Sequence, residues 1–192
     1  DRGEYTSDDD IPPSRDIIYD NVNLDRNKVA EIRQYLRTIM NSDEFVYSLR
    51  IGRHTGNADI SPIFEFLPRL QKLEVSLLTQ EQLLTVFAFV KRSRISSLII
   101  RSNIYDDFFI ENITEIVNEN PNVLFLDISS CNISTEGFAY FTEHIRVNNS
   151  ISILKISNNY IESIDINLIN LRVIRELDLS HNNLGSNSID DI

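Results

Sequence analysis

One apolar spacing returns six times between about residue 46 and the end of this 192-residue chain. Written apolar-x-x-Leu-x-apolar, its copies centre on Leu49, Leu73, Leu98, Leu126, Leu154 and Leu177. The last three continue further. They read Val123-x-x-Leu126-x-Ile128-x-x-Cys131-x-Ile133, Ile151-x-x-Leu154-x-Ile156-x-x-Asn159-x-Ile161, and Ile174-x-x-Leu177-x-Leu179-x-x-Asn182-x-Leu184. A single unit of this size cannot bury its apolar side chains. Stacked units can, because each adds one layer to a continuous core. The repeat therefore constrains the architecture and leaves function to surfaces.

Successive anchors stand 24, 25, 28, 28 and 23 residues apart. A 28-residue unit has room for a strand, a turn and a helix before the next strand. In the unit from Val123 to Ser150, Phe138, Phe141 and Ile145 fall on one helical face. Ser134 is placed as their N-cap, and Asn148-Asn149-Ser150 ends the segment. The stretch from Asn103 to Asn122 follows the same plan. Phe109, Ile113, Ile116 and Val117 form its buried stripe, and Asn120-Pro121 its stop. Strand alternation sends Leu126 and Ile128 inward, and Phe125 and Asp127 outward. Cys131, Asn159 and Asn182 fall where the chain turns off the strand. A side chain there must partner the backbone groups that the bend frees. An Asn amide donates and accepts, whereas a thiol does either weakly. Cys131 reads as structural, since nothing near it in sequence supplies an activating base.

The run Cys131-Asn132-Ile133-Ser134-Thr135-Glu136-Gly137-Phe138-Ala139 resembles the ribonuclease-inhibitor class of leucine-rich repeats. That class includes Ran GTPase-activating proteins and the sensor regions of nucleotide-binding innate immune receptors. The resemblance covers roughly residues 46 to 192. It implies an α/β fold: a right-handed horseshoe solenoid with a parallel β-sheet on the concave face and helices on the convex face. The final unit departs from the class. Its 23 residues leave Ser163 to Leu171 as a short outer segment, similar to typical and bacterial repeats. A mixed solenoid is expected, with curvature changing near residue 160.

The first 45 residues form separate pieces. Residues 1–20 read as an acidic flexible arm carrying Asp8-Asp9-Asp10 and Pro12-Pro13. Ser7 ahead of that run resembles an acidic-directed kinase site. Ile17, Ile18 and Tyr19 are candidates for a short extended segment against the first repeat. Residues 21–45 read as an N-terminal capping region. It is built on a helix over Asp25 to Asn41, with Val29, Ile32, Leu36 and Ile39 on its apolar face. Residues 46–192 hold the repeats. The last unit ends soon after its Asn182 turn, so an uncapped or truncated C-terminus is expected.

Several function classes are disfavoured. The net charge is −11, and the strongest basic run, Lys91-Arg92-Ser93-Arg94, reads as a helix end rather than a nucleic-acid stripe. No run of about 18 apolar residues offers a membrane span. One cysteine permits no internal disulfide, which suits a cytoplasmic, intracellular setting. An effector secreted into a host cell fits the same pattern. The histidines His54, His144 and His181 form no catalytic constellation, and no metal spacing, phosphate loop or nucleophile elbow is present. The reading is therefore non-enzymatic, with no cofactor, no catalytic residue, no metal and no small-molecule ligand.

Stacking aligns the residues beside each anchor into rows. The residue after each Leu gives Arg50, Glu74, Ile99, Asp127, Lys155 and Asp178. The residue before it gives Ser48, Lys72, Ser97, Phe125, Ile153 and Glu176. A third row starts at Arg53 and includes Leu77, Ser102, Ser130, Asn158 and His181. Ile99, Phe125 and Ile153 would form an apolar centre on the concave face, with Arg101, Asp127 and Lys155 as charged rim. Such a design binds protein. Glu176 and Asp178 would favour a basic segment of the partner. The expected function is protein–protein interaction in a targeting, scaffold or effector role. The alternatives are regulation of a small GTPase, as the resemblance to the Ran activators implies, or a structural spacer in a larger protein.

Overall fold

The computed structural model describes residues 14–42, 44–101, 107–145, 150–165 and 173–185. Its elements, in chain order, begin with β1 (Ser14–Tyr19), β2 (Val22–Asn23), α1 (Arg26–Met40), β3 (Phe45–Ile51), β4 (His54–Thr55) and α2 (Ser61–Phe64). They continue with β5 (Lys72–Ser76), α3 (Gln80–Arg92), β6 (Ser97–Arg101), α4 (Asp107–Glu119), β7 (Phe125–Asp127), α5 (Thr135–His144), β8 (Ile153–Lys155) and β9 (Glu176–Asp178). The strands β1-β3-β5-β6-β7-β8-β9 make one parallel sheet in chain order, and β2 pairs with β4 beside it.

Register places the six Leu anchors in one row, each opposite the next. The row has a seventh member, because Ile17 stands opposite Leu49. The extended segment expected at Ile17, Ile18 and Tyr19 is therefore present, and it takes residues 14–19 out of the arm expected over residues 1–20. Ser14–Tyr19 is an edge strand, and β1, α1 and β3 follow the strand–helix–strand path of the later units. The unit escapes a search for Leu because its anchor is Ile17 and one pairing slips between Arg15 and Asp16. The arm's remainder, with Ser7 and the triple Asp, lies outside the described residues.

The same turn closes most units. Asn21, Leu77, Ser130, Asn158 and His181 have positive φ, between 53° and 59°, and each lies four residues beyond its anchor. This left-handed step bends the chain off the sheet toward the helical side. Its amides tie neighbouring units together. The N–H groups of Leu77, Ser130 and Asn158 donate to the carbonyls of Arg101, Ser157 and Ser180 at 3.0, 3.0 and 2.9 Å. Beyond the turn, the buried Asn159 and the partly buried Asn182 partner backbone groups of adjoining units, as the bend requires. Cys131 is fully buried, and its Sγ donates to the Ile100 carbonyl at 3.2 Å.

Helix position follows capping and proline more than unit length. Asp25 caps α1, Ser134 caps α5, and Thr79 with Gln82 forms a reciprocal capping box on α3. The 25-residue spacing from Leu73 to Leu98 thus holds a 13-residue helix. The 24-residue spacing before it holds only the four residues of α2, where Pro62 opens the helix and Pro68 follows soon after its end. Phe109, Ile113, Ile116 and Val117 are buried as expected, with Phe138 and Phe141. The basic run ends α3, and Lys91 bonds Glu115 at 2.8 Å and Glu119 at 3.6 Å on α4. Among the described residues, no helix is long and apolar enough to cross a membrane. Most of the outer segment expected over Ser163 to Leu171 lies outside the described residues.

Candidate interaction face

The strands place two rows of side chains on the sheet face away from the helices. Ser48, Lys72, Ser97, Phe125, Ile153 and Glu176 stand in one register row, extended by Asp16. Arg50, Glu74, Ile99, Asp127, Lys155 and Asp178 stand in the other, extended by Ile18. Both rows match those read from the repeat spacing.

Phe125 lies directly opposite Ile153, and both are partly buried. The Lys155 ammonium sits 5.8 Å from the centre of the Phe125 ring, a cation–π distance, and 3.3 Å from the Glu176 carboxylate. One cation therefore joins the aromatic residue to the acidic end of the face. Asp178 is held by its own turn. Its Oδ1 accepts from the Ser180 hydroxyl at 2.6 Å and from the Ser180 N–H at 3.0 Å. These bonds hold the Asp178 carboxyl below the usual aspartate range.

Two expected members of the apolar centre and rim are covered. Ile99 is 7% exposed and Asp127 is 4% exposed. Glu74 and Asp127 flank Ile99 in register, and the Arg101 guanidinium crosses the same face to Asp127 at 2.8 Å. Asp127 also accepts from the Ser129 N–H at 3.0 Å. Alternation correctly directs both side chains to the sheet face, but it cannot tell that Arg101 reaches across to Asp127 or that Ile99 is buried there. Phe125, Ile153, Lys155, Glu176, Asp178 and Arg101 remain accessible in part.

The N-terminal half of the face holds features that the sequence reading did not single out. Ile18 is 63% exposed and Leu77 43% exposed. They accompany Arg50 and Arg53, which are exposed. Arg50, Arg53 and Leu77 all stand in the rows already written. Weight given to apolar residues on neighbouring strands passed over basic ones, and only the left-handed turn explains why Leu77 is outside the core.

A family model described as Leucine Rich repeat matches residues 119–140 and 170–192. The chain carries leucine-rich repeats. The two matched segments contain β7 and β9, the strands of Phe125 and Glu176. A search among curated proteins finds no match. Leucine-rich repeats generally mediate protein–protein interaction and are typically not enzymes. In these repeats the histidines have local structural surroundings. The imidazole Nδ1 of His54 lies 3.1 Å from the Gly52 carbonyl oxygen. His144 stacks on Tyr140 with ring centres 4.0 Å apart. His181 occupies a left-handed turn. Among the described residues, no group of three or more His, Cys, Asp or Glu side chains is arranged to hold a metal ion.

Proposed function

We propose that this leucine-rich-repeat chain is a non-enzymatic binding module that recognises another protein through its concave sheet face, in a targeting, scaffold or effector role. The observation that carries the reading is the Phe125–Ile153 pair. These are two apolar side chains directly opposite on adjacent strands, bordered by Lys155 and Glu176. An apolar centre with a charged border excludes water from the contacts that matter and orients the partner by its rim. The helical outer segments of the 28-residue units support placement in the ribonuclease-inhibitor-like class, and the single buried cysteine suits an intracellular setting.

The test is partner capture with the full chain and a Phe125→Asp, Ile153→Asp variant, both first checked for fold by circular dichroism. Leu84→Asp, on an exposed site of α3, is the control. A partner retained by the control and lost by the double variant is expected. Capture equal in all three would overturn the reading. If the double variant does not fold, Phe125→Ser with Ile153→Ser makes the same comparison.

A further inference from the structure

A cleft of about 310 Å³ opens on the N-terminal half of the sheet face, lined by Arg50, Arg53 and Arg101 with Asp20, Ser76 and Leu77. Three arginines line it in a chain whose net charge is −11. Two of them are held from the sheet side. The Arg50 Nε lies 3.4 Å from the Glu74 carboxylate, and one Arg101 nitrogen lies 2.8 Å from Asp127. Both carboxylates are mostly covered, while the Arg50 and Arg101 side chains are 45% and 50% exposed. Each carboxylate thus restrains one side of a guanidinium and leaves other N–H donors free for a ligand.

Arg53 is fixed differently. Its backbone N–H donates to Asp20 Oδ1 at 2.7 Å, and the Asn21 N–H donates to the same oxygen at 3.1 Å. That anchors the loop at Arg53 and engages one oxygen of the Asp20 carboxylate that lines the cleft. The Arg53 guanidinium enters no ion pair among the described residues. Leu77 stands at the cleft on its left-handed turn and offers an apolar contact beside the cations.

We infer that this cleft is a receptor for an oxyanion, a carboxylate or a phosphoryl group, carried on an acidic segment of the partner protein. Guanidinium forks already oriented by largely covered carboxylates, as at Arg50 and Arg101, form charge-assisted, bidentate bonds to such groups with little ordering left to do. The inference rests on the reading that the sheet face binds a polypeptide. It gives that face a polarity, with an anion-binding end at β3 to β6 and an acidic end at β9.

Fluorescence anisotropy of labelled hexaglutamate with the full chain tests it. A labelled Gly/Ser hexapeptide containing one phosphoserine forms the second arm. Binding of either peptide is expected, and the tighter of the two names the oxyanion. Arg53→Glu, which breaks no ion pair among the described residues, should weaken binding at least about ten-fold, the loss expected for a charged hydrogen bond. Arg92→Glu makes the same charge change at the end of α3 and should alter it less than about two-fold. No binding of either peptide would overturn the inference. So would equal weakening by the two variants, which would reduce the effect to overall charge. Partner capture that still depends on Phe125 and Ile153 would then leave the binding face standing without this cleft.

Discussion

The Asn159 side chain accepts a hydrogen bond from the Cys131 N–H at 3.0 Å, reaching from its own repeat into the one before. The same oxygen accepts from the Ile133 N–H at 3.0 Å. Its amide nitrogen donates to the carbonyls of Ile128, Ile156 and Ser157 at 3.2, 2.9 and 3.2 Å. One buried amide thus partners the backbone on both sides of a repeat boundary. Asn182 repeats the device, accepting from the Ile161 N–H and donating to Ile156 and Leu179.

Asn159→Ala should destabilise the chain by roughly 2–4 kcal/mol, because it strands several buried backbone groups at once. Asn159→Asp keeps the acceptor but turns a carboxylate oxygen toward the Ile128, Ile156 and Ser157 carbonyls, so it should cost at least as much as the alanine change. Urea denaturation measures both, and a loss below about 1 kcal/mol for Asn159→Ala would contradict the assigned role.

Leu77 carries a branched aliphatic side chain at φ 57°, in the conformation that Asn tolerates best after Gly. It is exposed, so little core packing is lost on replacement. Leu77→Asn should stabilise by about 0.5–1 kcal/mol, seen as a higher Tm. A lowered Tm would show that its apolar contacts outweigh the backbone strain.

Arg101 bridges to an Asp127 carboxylate that is nearly covered. Arg101→Ala should cost about 1–2 kcal/mol, less than a fully buried pair because half of the Arg101 side chain meets water. Adding Asp127→Asn should recover part of that loss, since the buried charge is then gone. Chemical denaturation of the two single variants and the double variant reads the coupling, and strict additivity would deny that the pair matters.

The Ser180 hydroxyl and N–H stabilise ionised Asp178 and lower its pKa in the folded state. A lowered carboxyl pKa contributes stability that is fully present above the unfolded value and lost as pH falls through the folded one. Ser180→Ala should move the Asp178 pKa back toward the reference value of 3.8 and flatten that acid dependence. Carbon-detected NMR titration follows the carboxyl directly; an unchanged midpoint would assign the shift elsewhere.

Much of this was legible along the chain. The Leu anchors, the rows that flank them, the Ser134 cap and the Asn turns all follow from local patterns with a short period. The extended segment at Ile17 was legible too, but not its place in the anchor row, because its unit has an aliphatic anchor of another type and a 32-residue spacing to Leu49 that includes one irregular pairing. The exposed faces of Ile99 and Asp127 were misjudged for another reason. Alternation states the side of a sheet, whereas burial depends on the length and pairing of side chains two rows away.

The sequence by itself determined a stacked α/β repeat, the inward row of leucines and the side of the sheet on which Phe125, Ile153 and the charged residues lie. Those outcomes depend on periodicity, since any register that hides the apolar face is the same one in every unit. Only the tertiary structure decided which face residues meet solvent, that Lys155 joins Phe125 to Glu176, and that Arg50, Arg53 and Arg101 share one cleft. These arise between units, where side chains distant in sequence meet, and the spacing within a unit carries no record of how far each one reaches.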